Sequence, residues 1–302
     1  MIRLPLSVFT QPVIAADIGL FRTLFCTSVL LGHLLFLPFH LSFYAASIAA
    51  HLPLFGITLF APYEWLGVLA LAVIVAVSLT VAAAGYCTRV ALWIATLSFF
   101  LFFKPIIDTL TLHHAQLPFF ILLTLALAPG ATALNWRQIL RLQPLDSRDH
   151  RPIAQWPLTL PLVLLGISYF GASFWKIVDG GIGQFSGDVL RYHLAFYGLI
   201  RDADIPLLLA GLPLWVLGIA SSGVILFQTT FLLALAFPRL RRYYVVTGIA
   251  FHTGIMLVFH IATFPLFYAS AYFALLRWHT FQKFTDTVCH TALRVRHIVD
   301  RN

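Results

Sequence analysis

Charged residues are the scarcest class in this sequence. Only 10% of its 302 residues are Asp, Glu, Lys or Arg, whereas 60% are hydrophobic and 28 are phenylalanine. A water-soluble domain carries roughly a quarter of its residues as charged side chains, most of them on its surface. The shortage of charge therefore excludes a soluble globular domain and predicts a polytopic membrane protein.

Several chemical signatures are missing as well. The cysteines Cys26, Cys87 and Cys289 have neither CxxC spacing nor an even count, which argues against a disulfide framework or a cysteine metal site. The sequence has no GxGxxG, P-loop or GxSxG motif, so nucleotide binding and common serine hydrolysis have no motif behind them. Repeated histidine boxes are also absent, and we predict no metal site.

The apolar residues form eight segments that could cross a membrane. A spanning helix needs about 20 apolar residues for a hydrocarbon core of about 30 Å. The run 243–277 would be about 50 Å long as one helix, so we predict a break near HIATFP (His260–Pro265) and two short or re-entrant segments. The segments lie near residues 19–38, 65–85, 90–107, 116–133, 157–177, 212–236, 243–260 and 262–277.

These segments predict an all-α fold: a polytopic integral membrane helical bundle with about eight transmembrane segments, the last two short or broken. We predict one transmembrane domain over residues 1–277 and an amphipathic cytoplasmic tail over 278–302. In the tail, apolar residues such as Trp278 and Phe281 recur at near-helical spacing opposite basic residues. This pattern is typical of a helix that lies along the inner membrane surface.

The basic residues predict the orientation in the membrane. With a cytoplasmic N-terminus and eight crossings, all 19 Lys and Arg residues fall on the inner side except Lys104, Lys176, Arg191 and Arg201. An excess of Lys and Arg marks cytoplasmic loops. The sequence therefore predicts a multi-pass plasma (inner) membrane protein with both termini in the cytoplasm. The net charge of +8 is explained by these loops, so we predict no nucleic-acid partner.

A lysine lies near the predicted outer end of the fifth span. Lys176 occurs one turn before the end of the apolar run SYFGASFWKIVDGG (Ser168–Gly181), and Asp179 follows three positions later. A charged group in hydrocarbon is costly and usually faces a cavity or a partner. Two interpretations remain open: Lys176 faces an outward-opening pocket, or it extends to the interface and pairs with Asp179.

Histidines are predicted at the same end of the bundle. His113 and His114 lie beside the outer connection between the third and fourth spans, and the seventh span runs outward to His260. His252 lies deeper in that span. The topology therefore predicts an outward-facing site where these imidazoles approach Lys176. The alternative for His252 is a hydrogen bond to a neighbouring helix.

Four stretches, in order, resemble motifs of one membrane-protein family. They are IGLFRTLFC (Ile18–Cys26), LHHAQLPFFILLTLALAPGA (Leu112–Ala131), SYFGASFWKI (168–177) and FHTGIMLVFHIATFP (Phe251–Pro265). Their order and spacing are similar to those of the HTTM domain family, whose known enzyme is the vitamin K-dependent γ-glutamyl carboxylase. The resemblance covers most of the chain.

The resemblance implies roles for particular residues. The lysine that acts as catalytic base in the carboxylase falls on Lys176, and His114 would hold or polarise the quinol or its oxygen adduct. Arg22 would make a structural or headgroup contact on the inner side. Substrate or quinol binding would involve His113, His252, His260, Tyr169 and Asp179.

The implied reaction is quinol- and dioxygen-dependent. Lys176 would deprotonate a reduced quinone, a vitamin K-like hydroquinone, and dioxygen would then add. The quinone would become an epoxide while a strong base formed on the way deprotonates a carbon acid, with carbon dioxide consumed where the product is carboxylated. An apolar setting disfavours the ammonium and so suits a lysine base, whereas direct contact with Asp179 would keep the amine charged.

The chain departs from the family pattern at Ser173, Ile255 and His260, and it ends after its last span, where the carboxylase has a large extracytoplasmic domain. One alternative is therefore a non-catalytic maturation or export factor for a small secreted peptide, similar to the B protein of the sporulation-delaying toxin operon. A transporter is a third alternative, although Gln228 and Thr229 are the main polar residues inside a span on the inner half. The predicted partners are membrane lipid, a quinone and, in the alternative, a small peptide or protein.

Overall fold

The computed structural model describes residues 7–49, 61–110, 115–259 and 263–287, and most of these residues are helical. The first half contains α1 (Ser7–Thr10), β1 (Pro12–Ile14), α2 (Ala15–Ala49), α3 (Ala61–Ala84), α4 (Thr88–Leu110), α5 (Gln116–Leu127), α6 (Trp136–Ile139) and β2 (Pro152–Ala154). The second half contains α7 (Trp156–Gly180), α8 (Gly183–Ser186), α9 (Asp188–Arg201), α10 (Asp204–Ala210), α11 (Leu214–Thr230), α12 (Leu233–Ala236), α13 (Arg241–Phe259), α14 (Thr263–Phe267) and a 3₁₀ helix (Ala269–Leu275). Residues 278–287 are also helical.

Five of the described helices, α2, α3, α4, α7 and α13, are long and apolar enough to cross a membrane. The pair α10 and α11 would make a sixth span if it is counted as one helix bent by 110°. Large apolar side chains on the outside of the bundle are exposed, as expected where lipid takes the place of water. The predicted all-α helical-bundle membrane protein is confirmed.

The helix boundaries differ from the prediction in the fourth and sixth segments. The fourth segment ends early at Leu127, because Ala128 is extended and Gly130 has a φ of +82°; its 12 residues span about 18 Å. The sixth segment is divided between α11 and α12. The last apolar run does not form one straight helix, as predicted, because α14 and the 3₁₀ helix pack back against α13, with the ring of Tyr268 6.0 Å from that of His252. The predicted position of the break includes residues 260–262, which lie outside the described residues.

Phenylalanine fills much of the core between α2 and α4. The rings of Phe99 and Phe103 lie 4.3 Å apart, and Phe267 of α14 approaches Phe103 at 6.0 Å. Such contacts add to the stabilisation that ring burial provides. Packing in the core is therefore the structural role of several of the 28 phenylalanines. The core phenylalanines include Phe21, Phe25, Phe99, Phe102, Phe103 and Phe267.

Arg22, near the start of α2, is completely buried. Its Nη1 donates to the carbonyl oxygens of Ala131 and Ala133 at 2.6 and 2.9 Å. Its Nη2 donates to the carbonyl oxygen of Leu134 at 2.8 Å and to the hydroxyl of Thr23 at 2.9 Å. Arg22 therefore fastens the irregular segment after α5 to the bundle, which agrees with the structural role expected for it.

Asp149 organises the same segment from the other side. Its buried carboxylate accepts hydrogen bonds from the backbone N–H groups of Leu134 and Asp146 and from the side-chain amide of Gln138. Gly85 leaves room for the segment, because a Cβ there would lie 2.5 Å from the Leu134 carbonyl oxygen. We call this end of the bundle, which holds residues 15–22, 84–89, 128–155, 236–241 and 276–287, the arginine-rich end.

A short antiparallel ribbon closes the arginine-rich end. Strand β1 pairs with β2 in the register Pro12 to Ala154 and Ile14 to Pro152. The ribbon joins the entry into α2 to the entry into α7. The following helix, 278–287, docks beside it, since the backbone N–H of Trp278 donates to Asp17 at 2.8 Å.

We predict that Arg22→Met lowers the stability of the bundle strongly. The substitution leaves three buried carbonyl oxygens without their donor. Each buried unsatisfied group costs about 1–3 kcal/mol, so the free energy of unfolding should fall by about 3 kcal/mol or more. Thermal unfolding of the detergent-solubilised protein measures the change.

The matched control is Arg89→Met. Arg89 also donates to carbonyl oxygens, those of Ala126 and Ala128, but it is exposed, so water can replace it. Its loss should cost less than about 1 kcal/mol. Equal destabilisation by the two methionine variants would contradict the role assigned to Arg22.

Candidate functional site

One face of α7 carries the polar residues of the candidate site. Tyr169, Ser173 and Lys176 are spaced by four and three residues, which places them on the same side of a helix. Tyr169 and Ser173 are buried and Lys176 is half-buried, whereas Phe170 and Phe174 on the opposite side are about half exposed. The polar face therefore points into the bundle, and the phenylalanines face outward.

The amine of Lys176 has a neutral partner. Its Nζ donates to Oε1 of Gln228, a buried residue of α11, at 2.9 Å. One residue along α11, the hydroxyl of Thr229 donates to that of Ser173 at 2.9 Å. Together these two contacts form a polar seam between α7 and α11.

Lys176 and Asp179 do not form an ion pair. Asp179 is exposed, and among the residues that the structure describes no carboxylate lies within 4 Å of the Lys176 amine. The interpretation in which the two side chains pair with each other is therefore wrong. A lysine base requires that Asp179 does not pair with the Lys176 amine, and the structure meets this condition.

Tyr169 is the centre of a second, deeper polar cluster. Its hydroxyl is hydrogen-bonded to Nε2 of His252 on α13 and lies 2.9 Å from the hydroxyl of Tyr272 in the 3₁₀ helix. Gly248 permits this arrangement, because a Cβ there would lie 1.9 Å from the Tyr272 hydroxyl. Nδ1 of His252 is buried and has no hydrogen-bond partner in the described part of the chain.

The two clusters are separate along α7. Tyr169 and Lys176 are seven residues apart, which is about 10 Å along a helix. His252 therefore contacts a neighbouring helix through Tyr169, which is the second of the two interpretations considered for it. His113, His114 and His260 lie outside the described residues, so their approach to Lys176 stays a prediction.

Helix α9 is an element that the hydropathy of the sequence did not predict. It packs against α11 and α13, with the ring of Tyr197 5.5 Å from that of Phe259. Partial burial, and to a smaller extent the charge of Lys176, lowers the pKa of His193 on α9 below its ordinary value. His193 is therefore a titratable group close enough to Lys176 for the two charges to interact.

Gln228, Thr229 and helix α9 contribute to this region, although the sequence analysis did not assign them to the site. Each of them nevertheless has a recognisable pattern in the sequence. Gln228 and Thr229 are adjacent polar residues in an apolar run, a pattern that marks a buried contact in membrane helices. The sequence predicts that they lie in the inner half of the sixth span. In the structure they instead contact Lys176 and Ser173 of α7, and Lys176 is near the predicted outer end. In α9, Leu194 and Gly198 are buried four residues apart, as in an amphipathic helix.

The donor set of the site suits proton transfer and hydrogen bonding. Among the described residues, no group of three or more His, Cys, Asp or Glu side chains could hold a metal ion. What the site offers is an amine held by an amide, beside hydroxyl groups and aromatic rings. Such an amine can accept a proton from a weak acid that approaches through the apolar surroundings.

Comparison with known proteins adds no relative of this chain. No protein-family model, no curated protein and no solved structure matches it.

Proposed function

We propose that this chain is a membrane-embedded enzyme in which Lys176 accepts a proton from a quinol that reaches it through the bilayer. The observation that carries the proposal is the half-buried amine of Lys176, bonded to the neutral amide of Gln228 and without a carboxylate partner among the described residues. A carboxylate would hold the amine as ammonium, whereas an amide leaves it able to act as a base.

Gln228 serves as the positioning residue in this proposal. Its Oε1 accepts one hydrogen of the Lys176 amine and fixes where the nitrogen lies. When the amine takes a proton, the ammonium keeps that acceptor and gains donors for a substrate oxygen. Gln228 can thus support Lys176 in both protonation states without favouring a permanent charge.

Aromatic side chains around Tyr169 form an apolar floor beneath the amine. The Tyr169 ring lies 5.4 Å from Phe227, 5.0 Å from Phe231 and 6.3 Å from Phe251. These surroundings fit a ring-shaped, weakly acidic and lipid-soluble substrate, for which a hydroquinone is the proposed class. Bound quinol and dioxygen would supply the oxidative chemistry, with carbon dioxide as a further co-substrate if the product is carboxylated.

The histidines complete the proposal on the substrate side. His114 is proposed to hold or polarise the quinol, as the family resemblance implies. His113 and His260, which the predicted topology puts at the same end of the bundle, are proposed to bind it. Tyr169 and His252 are proposed to support the quinol site from below, through their buried hydrogen bond. Asp179, exposed at the end of α7, is proposed to contact substrate at the entrance.

The proposed orientation places this site on the outer side of the plasma membrane. Most arginines of the chain lie at the arginine-rich end, which would face the cytoplasm together with both termini. Lys176, near the opposite end of α7, would then open outward. The family resemblance to the vitamin K-dependent carboxylase agrees with this direction.

We predict that Lys176→Met abolishes quinone-epoxide formation by the purified protein. The assay supplies a vitamin K hydroquinone and dioxygen, and chromatography measures the epoxide. Loss of a general base lowers turnover by about 10²–10⁴-fold. Lys104→Met, the same change at an exposed lysine of α4, should keep the wild-type rate.

Two results would overturn the proposal. Turnover by Lys176→Met at the wild-type rate would remove the lysine base. A complete lack of epoxide formation by the wild type, together with a small secreted peptide that co-purifies with it, would favour the maturation factor. The second result counts only if the purified protein unfolds cooperatively, so that inactivity does not reflect misfolding.

Tyr169→Phe tests the supporting cluster separately. The substitution removes the hydroxyl shared by His252 and Tyr272 and leaves two buried groups without that partner. We expect the free energy of unfolding to fall by about 1–3 kcal/mol, with epoxide formation reduced but not abolished. Tyr192→Phe removes the same atom from an exposed residue of α9 and should change neither quantity; an unchanged melting temperature in Tyr169→Phe would contradict the supporting role.

A further inference from the structure

A narrow pocket opens at the arginine-rich end, between the starts of α7 and α13 and the end of the 3₁₀ helix. Four of its residues are polar and five are apolar. The polar residues are Gln155, Thr159, Arg241 and Arg277. The apolar residues are Leu158, Leu162, Leu235, Ala274 and Leu275. The two arginines of this pocket lie beside apolar side chains, whereas the loop arginines nearby are exposed.

Arg241 is held in place by the end of α12. Its Nε donates to the carbonyl oxygen of Ala234 at 3.0 Å, and its Nη2 donates to that of Leu235 at 3.2 Å. These bonds fix the guanidinium with acceptors that carry no net charge. Because a guanidinium has five N–H donors, Arg241 retains donors for a further acceptor.

Arg277 is only partly neutralised by its neighbour. Its Nη1 lies 3.9 Å from Oδ2 of Asp17, is buried, and has no hydrogen-bond acceptor among the described residues. The other oxygen of Asp17 accepts the backbone N–H of Trp278. Burial lowers the pKa of Arg277, and the charge of Asp17 offsets this effect only in part.

The charges around the pocket therefore do not balance. Two guanidinium groups line it, and among the carboxylates that the structure describes only that of Asp17, which is already engaged with Trp278, lies near one of them. Partly buried cations need a counter-charge, and guanidinium groups bind phosphate oxygens in a planar, two-point geometry. An anion would supply such a counter-charge, and the planar donors of guanidinium match the oxygens of phosphate.

The position of the pocket favours a lipid phosphate over a free one. Helices α7 and α13 are both candidate membrane spans, and their first residues border this pocket, so the pocket lies where headgroups meet hydrocarbon. The enclosed space is about 10 Å³, which holds about one water-sized group. One phosphate oxygen fits this space, and the rest of a lipid headgroup would remain outside it.

We propose that Arg241 and Arg277 form a binding site for the phosphate of an anionic phospholipid. Gln155 and Thr159 supply further polar contacts at the start of α7. Basic pockets between transmembrane helices are suited to such headgroups. The site lies at the opposite end of α7 from Lys176 and does not depend on the proposed enzymatic function.

The test uses the purified full chain in detergent, titrated with phosphatidylglycerol, with phosphatidylcholine or with inorganic phosphate. A ligand that binds the folded state raises the melting temperature in a saturable way. We expect this rise with phosphatidylglycerol alone, and we expect native mass spectrometry to detect the retained lipid. Arg241→Gln combined with Arg277→Gln should weaken the apparent affinity about tenfold or more, since hydrogen bonds to charged groups are lost.

The matched control is Arg239→Gln combined with Arg242→Gln. Both arginines are exposed at the same end of the bundle, and the change in net charge is identical. Arg242 stacks over Tyr243 at 4.7 Å, outside the pocket. This control should bind phosphatidylglycerol with wild-type affinity.

Three outcomes would overturn the proposal. Equal weakening in both double variants would mean that the lipid responds to net charge and not to the pocket. An equal response to phosphatidylcholine would remove the need for an anionic headgroup. A response to inorganic phosphate with the same arginine dependence would assign the pocket to free phosphate. Should the double variant fail to fold, Arg277→Gln compared with Arg242→Gln decides the question, because the Arg277 side chain is 26% exposed and makes no hydrogen bond within the described residues through Nη1.

Discussion

The buried guanidinium of Arg22 permits irregular backbone inside this bundle. Within hydrocarbon, carbonyl groups that are not in a helix must find a donor in the protein. Helix α5 stops at Leu127, and the segment after it turns back against α2 with the carbonyl oxygens of Ala131, Ala133 and Leu134 directed at one side chain. Without the N–H donors of Arg22, these carbonyl oxygens would need hydrogen bonds from water, and the segment would have to move out of the bundle. The first residues of α2 and α7 would then lose a segment that packs against both.

Helix α7 connects two chemically different ends. Near its start, the pocket of Arg241 and Arg277 holds more positive charge than its carboxylate can balance. Near its end, Lys176 lies beside a neutral amide. The excess positive charge favours stable binding of an anion. The neutral partner of Lys176 favours reversible protonation of the amine. A single helix thus carries a proposed lipid site near its start and a proposed reactive site near its end.

The polar residues inside the spans differ in how completely they are satisfied. Tyr169 has two hydrogen-bond partners and is buried among phenylalanines, as expected of a structural group. His252 keeps one ring nitrogen without a partner in the described part of the chain, and Lys176 has a single acceptor. Incomplete satisfaction is costly in an apolar medium, so a bound molecule that supplied a further partner to either side chain would be stabilised by it.

The sequence by itself determined the class of the protein and much of its helical plan. Scarce charge and long apolar runs require a helical membrane bundle, and the excessive length of the last run predicted that it does not form one helix, which agrees with the packing of α14 back against α13. The sequence also singled out Lys176, because a lone cation in an apolar run is unusual. The tertiary structure decided what these residues meet: Gln228 for Lys176, three loop carbonyls for Arg22, and α9 against α11 and α13. Hydropathy measures how apolar a segment is, but partners are chosen by which faces of separate helices pack together, and that choice depends on contacts between residues far apart in the chain.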